Sequence, residues 1–347
     1  MKELVKRELN WVLDSPAFFG PNSQLQSHLE TQNQKEFPLP GMVTYRDEYR
    51  YLSTPESSRL VGSSEARGLC SDLIRNEILS LKTGRLGVVF EKYLEEILKF
   101  RCGSELVRYR VPVRERAEHG RGWKTWGEYD FLFLNSDNDC VEHWETSIKF
   151  YLQVQNDPAW KYCWGPGVVD RLDLKGPKMF LQQLNLSSTE LGRSVFPDEW
   201  IKKKVVKRVF AKGTIFYLWD PEKESFLSRC RSIVHPTSLA EDHQKSWWIF
   251  PDSLPALRDI YPDYFVAILP RRYWMTGLPM LELRNESLEN WSDFMDRFSA
   301  RSCAASERRE CLYIALYRPD GFPFFETAGF VVTPHFIQVQ GKKISAE

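Results

Sequence analysis

The chain has 347 residues, 42% of them hydrophobic and 14% aromatic, a globular composition that can fill one large elaborated core or two smaller ones. Its 47 basic residues equal its 47 acidic ones, so no global positive field recruits polyanions, and any such partner has to be met by a local patch. Apolar runs such as Tyr264 to Leu269 fall far short of the roughly 18 residues that cross a bilayer, so no membrane span is expected.

Charges run through the first turns of MKELVKRELNWVLDSP, which reads as an amphipathic helix stopped near Ser15 and Pro16 and not as a secretory signal. Seven scattered cysteines without a CxxC pair point to a reducing cytoplasm, with no zinc ribbon and no disulfide framework. Residues 1–72 form an N-terminal helix and a cover segment, because 20–72 is rich in Gln, Ser, Pro and Gly and shows little periodicity. From Leu73 the pattern turns helical. Leu86, Phe90, Leu94 and Leu98 recur at helical spacing and predict a helix over about 84–100, with Gly103 as its stop.

ELVRYRVPVRE, GEYDFLFLN and CVEHWETSIKFYLQV then alternate with period two and predict three strands. After a Gly/Pro-rich loop at 156–167, DRLDLKGPKMFLQQLNL predicts a helix with Pro177 in its first turn. KKKVVKRVFAKGTIFYLWD restores strand character. The order is helix, strand, strand, strand, helix, strand within a core of residues 73–219. Residues 220–347 form a β-rich extension with strand candidates SWWIF, DYFVAILP, ECLYIALYR and GFVVTP and the helix ESLENWSDFMDRFSA. The expected class is α/β with this α+β extension.

The second and third strands carry acids where core residues are expected. Alternation puts Glu128, Asp130, Leu132 and Leu134 on one side of their strand and Tyr129, Phe131 and Phe133 on the other. On the next strand His143, Glu145, Ser147, Lys149 and Tyr151 share a side, with Trp144, Thr146, Ile148 and Phe150 opposite. If Asn135 pairs with Cys140 around a four-residue loop, Asp130 lies across from Glu145. Like charges directly opposite destabilise a sheet, so such a pair makes sense around a divalent cation. The alternative is a solvated sheet face on which Lys149 and nearby arginines neutralise both acids. Glu91, on the 84–100 helix, borders the apolar stripe and reads either as a third carboxylate of the site or as a surface residue.

Helix LGVVFE, strand GEYDF, a strand with an acid and a lysine, and a helix with QQL together resemble the PD-(D/E)XK nuclease superfamily, with its restriction-endonuclease-like core. RELNWVLDSPAFF, HWETSIKFYL and LPRRYW resemble an uncharacterised bacterial family, a domain of unknown function (DUF1853), assigned to that superfamily. The resemblance implies that Asp130, Glu145 and Glu91 hold magnesium or manganese. It implies that Lys149 stabilises charge in the transition state and that Gln182 or Gln183 positions substrate or water. One departure stands out: the superfamily's acid and lysine are two residues apart, whereas here Ser147 takes the near position and Glu145 lies four before Lys149.

The run Lys202, Lys203, Lys204, Lys207 and Arg208 is the best basic patch, a source of phosphate contacts or simply a solvated strand entry. Trp160, Trp164, Trp247, Trp248 and Trp274 read as stacking surfaces or as core. His143 is a base or a hydrogen-bonded structural histidine. With no GxGxxG, P-loop or GxSxG motif, the sequence gives no support for a dinucleotide enzyme, an NTPase or an α/β-hydrolase. The expectation is a metal-dependent phosphodiesterase acting on DNA, or on RNA, with no membrane partner and no stated oligomeric state. The alternative is a catalytically inactive scaffold that binds nucleic acid or a protein.

Overall fold

The computed structural model describes residues 2–20, 48–51, 59–116, 122–167, 169–277, 288–304, 311–318 and 327–338. Helix α1 (Lys2–Asp14) ends before Pro16, as its sequence predicts. The part of the cover segment at 21–47 and 52–58 lies outside the described residues. Its last stretch is not loop. Helix α2 (Ser64–Ser80) starts nine residues before Leu73, with the Ser63 side chain capping the Ala66 N–H. Only Cys70, Ser71, Ile74 and Ile78 are buried along α2, and that stripe is too thin to register as a helical face. Helix α3 (Leu86–Cys102) buries Leu86, Val89, Phe90, Tyr93, Leu94, Ile97 and Leu98, a wide stripe at three- and four-residue spacing, and Gly103 closes it.

Strands β1 (Glu48–Tyr51), β2 (Val107–Arg116), β3 (Trp123–Asn135), β4 (Cys140–Gln153), β5 (Cys163–Trp164) and β6 (Val205–Leu218) form the first half of one mixed sheet. Strands β7 (Gln244–Ile249), β8 (Phe265–Ile268), β9 (Leu288–Glu289), β10 (Cys311–Tyr317) and β11 (Ala328–Val332) continue it in the order β2-β3-β4-β6-β7-β11-β10-β8-β9. The β2–β3 and β3–β4 pairs are antiparallel, while β4 runs parallel to β6 over 141–153. Central strands covered on both faces bury nearly everything they carry, which takes Glu142, His143, Glu145 and Lys207 into the interior.

The crossover from β4 to β6 departs from the expected single helix. Pro177 ends helix α4 (Leu172–Pro177) instead of opening it, and a π-turn (Lys178–Gln182) and a 3-10 stretch (Gln183–Ser188) follow. Pro177 supplies no N–H to the ladder, and in the turn that follows the Gln183 N–H is shared between Met179 O and, one residue wider, Lys178 O. Helices α1 to α3 cover one face of the sheet over Phe131, Phe133, Trp144 and Phe150. The crossover covers the other face, where its Trp160, Phe180 and Leu184 join a core with Tyr151 of β4 and Val209, Ile215 and Tyr217 of β6.

The first and last thirds of the sequence meet at a buried ion pair. Glu8 on α1, fully buried, takes both guanidinium nitrogens of Arg272 and the Tyr93 hydroxyl of α3 (2.7 Å). Removing one partner of such a pair strands the other, so Glu8→Ala is expected to cost about 3–5 kcal/mol in urea unfolding. A loss below about 1 kcal/mol would show that the pair does not hold these thirds together.

Candidate active site at a split between two strands

The expected hairpin register is present: Asn135 pairs with Cys140, and the ladder continues to Phe131 and Trp144. There it stops, at the point where the same register would pair Asp130 with Glu145. Asp130 Oδ2 accepts the Thr146 backbone N–H (2.7 Å) and its hydroxyl (3.1 Å), so a side chain takes the place of a ladder carbonyl and β3 parts from β4. On the other flank Arg110 sits at φ +51°, a left-handed conformation uncommon for a non-glycine residue. The expected alternation fails at this point. Phe131 and Phe133 face the α3 side, whereas Tyr129 turns to the opposite side and packs edge-on against His143 (4.6 Å) and against Phe196.

Glu145 is 3% exposed, with Oε1 3.0 Å from His143 Nε2; His143 Nδ1 lies 3.1 Å from the Ser187 hydroxyl. Burial first, then the charge of Asp130, raises the Glu145 carboxyl well above its ordinary range. Burial is also the main cause that pushes Asp130 up to about 7, with Glu91 adding to it. Burial holds His143 well below its normal range, with Lys207 contributing, so its imidazole is neutral. Here His143 is a hydrogen-bonded partner that orients Glu145.

A pocket opens beside the pair, lined by Glu145, Thr146, Ser147, Lys149, Lys175, Lys178 and Gln183, with a volume of about 170 Å³. Lys149 contacts Asp170 (3.5 Å), whose other oxygen accepts the Tyr151 hydroxyl (3.1 Å). Burial lowers the Lys149 ammonium, with Asp170 opposing and Lys175 reinforcing the shift. Gly213 on β6 stands opposite Lys149 at φ +147°, where a Cβ would lie 1.8 Å from Lys149 O; this close approach requires glycine. Ser147 Oγ and Gln183 Oε1 are buried and meet no partner among the described residues.

The remaining sequence candidates disperse. Glu91 is held by Arg110 (2.6 Å) and the Tyr109 hydroxyl (2.9 Å), and among the described residues no three acidic, histidine or cysteine groups come together to hold a metal. The three-carboxylate set therefore reduces to the pair Asp130 and Glu145. Gln182 holds the Trp126 carbonyl and Gln183 that of Glu128, so only Gln183 reaches the pocket. The basic run is not one surface: Lys202 and Lys204 are exposed, Lys203 pairs with Asp139, Lys207 is buried on Ser188, and Arg208 points to the α3 side and clasps Glu142 (2.6 Å). The five tryptophans weighed as stacking surfaces are all buried. Asp170, Lys175 and Lys178 went unnoticed, because only the irregular crossover brings them to the pocket.

Asp130 and Glu145 are the residues that could hold a divalent cation. Asp130 Oδ2 is engaged by Thr146 and Glu145 Oε1 by His143; the charge of Asp130 disfavours ionisation of Glu145, and the Asp130 backbone N–H opposes that effect. Magnesium characteristically takes one or two carboxylates plus waters and substrate oxygens.

Fold and site together define a mixed α/β protein with a buried carboxylate pair at a split in its sheet. No helix among the described residues is long and apolar enough to cross a membrane. The chain belongs to the family described as Domain of unknown function (DUF1853), whose model matches residues 7–321. Neither the curated proteins nor the solved structures gave a match.

A carboxyl that folding raises from 3.8 to about 7 binds protons more tightly when folded, so its contribution to stability is lost as pH rises from about 4 through 7. In chelator, Asp130→Asn is expected to melt several degrees above wild type at pH 8, with the gain shrinking towards pH 5. A gain independent of pH would contradict the shift.

Proposed function

We propose that the protein is a metal-dependent phosphodiesterase acting on nucleic acid, with its active site at the β3–β4 split. The observation that carries the reading is Glu145, buried within reach of the Asp130 charge and lining a pocket together with Lys149, Lys175 and Lys178. Anionic groups for a cation beside cationic groups for a phosphate are the two halves of a phosphodiester site. The order α3, β2, β3, β4, crossover helices, β6 supports the likeness to the PD-(D/E)XK nuclease core.

Asp130 and Glu145 would hold a magnesium or manganese ion, which would supply Lewis-acid polarisation of the phosphodiester. His143 fixes Glu145 by its Oε1. Lys149, part-buried and so stronger in its interactions than in water, donates to the phosphate oxygen on which charge develops. Ser147 and Gln183 offer their unpartnered oxygens to water or substrate. Glu91 acts at one remove: its charge is felt at Asp130 while Arg110 holds it in place.

A second reading, a scaffold that binds without cutting, is favoured by the engagement of Lys149 with Asp170. A labelled DNA or RNA strand incubated with manganese or magnesium separates the two. The nuclease reading expects cleavage that falls at least a hundredfold in Asp130→Asn and in Lys149→Met, in line with loss of one charged group from a preorganised site. Intact strands with wild type under every metal condition would leave the scaffold.

A further inference from the structure

Among the described residues β2 is one of the sheet's edge strands, and with the start of β3 it forms a two-stranded ribbon. Its residues divide sharply by engagement. Near the sheet, Arg110 is tied to Glu91, and Arg108 donates to the Glu105 carbonyl and lies over Trp200. At the outer end Arg114 pairs across the strands with Thr125 and Arg116 with Trp123, after a bulge that follows Val113. Strand alternation puts Arg114, Arg116, Thr125 and Trp123 on one face, and the Arg116 guanidinium lies 5.8 Å from the Trp123 ring.

These two pairs carry no carboxylate. Glu115 points to the other face, where the Trp126 indole N–H holds it (3.0 Å) and Lys124 lies over the same indole (3.7 Å). Arg114 and Arg116 are exposed and make no ion pair among the described residues. Trp123 is 61% exposed, whereas the tryptophans of the sheet interior are nearly all sealed in the core. An exposed indole beside two solvent-facing guanidiniums that meet no carboxylate among the described residues presents a flat π-face next to positive charge. It matches the two features of a nucleotide strand, a phosphate every residue and a base with a π-face.

We propose that the outer end of the β2–β3 ribbon is a nucleic-acid docking surface, with Arg114 and Arg116 on backbone phosphates and Trp123 stacked on an unpaired base. The proposal rests on the reading of the cleft as a phosphodiester site and follows the same strand away from it. Trp123 lies seven residues along β3 from Asp130, roughly 23 Å at 3.3 Å per residue. Gln182 and Gln183 hold the Trp126 and Glu128 carbonyls between the two places, so ribbon and pocket share a wall.

Fluorescence anisotropy in chelator, with a labelled single-stranded oligonucleotide across a salt series, tests the proposal without catalysis. All three side chains are exposed, so the variants should melt with wild type. Arg114→Ala with Arg116→Ala is expected to weaken binding at least tenfold and to make the plot of log affinity against log salt shallower by about 1.4, at 0.7 per lost phosphate contact. Trp123→Ala should weaken binding about fivefold or more and leave that slope unchanged. Wild-type affinity in both variants, or no saturable binding by wild type, overturns the proposal, and equal losses on a blunt duplex overturn the unpaired-base assignment. Ribbon-dependent binding with no cleavage in manganese keeps this proposal and removes hydrolysis. Cleavage with binding unchanged in both variants does the reverse.

Discussion

The bond from the Thr146 N–H to Asp130 Oδ2 is the constraint on which the rest of the site depends. A ladder carbonyl in that position would have kept β3 and β4 together through the pair and pressed two carboxylates against each other in a closed sheet. With a side chain accepting instead, the strands part, Thr146 stays satisfied, and Glu145 gains an opening. The left-handed turn at Arg110 accommodates the same break on β2 and brings that guanidinium onto Glu91. One exchange of acceptor thus sets where the cleft is, which acid lines it, and which acid is neutralised outside it.

The electrostatics follow from position in the sheet. β4 is central and covered on both sides, so any polar residue it carries has to find a partner or change its protonation. Glu142 has found Arg208, Trp144 and Asn135, and His143 has found Ser187. Glu145 has His143 and the repulsion of Asp130, a combination that leaves its carboxyl short of positive charge. Such a deficit at the wall of a pocket is the kind of feature found at functional sites more often than at structural ones.

Much of this was legible in the sequence. The turn-rich segment between Asn135 and Cys140 defined the register, and the polar and apolar faces of β4 follow from simple alternation. What could not be read was each place where the backbone leaves its regular pattern: the left-handed Arg110, the reversal of Tyr129, and the π-turn after Pro177. The irregular crossover brings Asp170 onto Lys149 and Lys175, Lys178 and Gln183 to the pocket, whereas ordinary strand alternation sends Lys207 and Arg208 to opposite faces. The conspicuous phrases in the first and last thirds of the chain have a structural meaning. Glu8 of RELNWVLDSPAFF and Arg272 of LPRRYW are partners, and Phe18 and Phe19 pack beneath the crossover against Tyr151, Trp160 and Phe180.

The central claim is that Asp130 and Glu145 form one cation site at the strand split. Calorimetric titration of the purified protein with manganese, wild type beside Glu145→Gln, at pH 6 and pH 8, tests it most directly. The account expects saturable binding with one ion per chain, tighter at pH 8 because protons leave the pair as the ion enters, and lost in the variant. Binding by Glu145→Gln equal to wild type, or no binding at either pH, would contradict it.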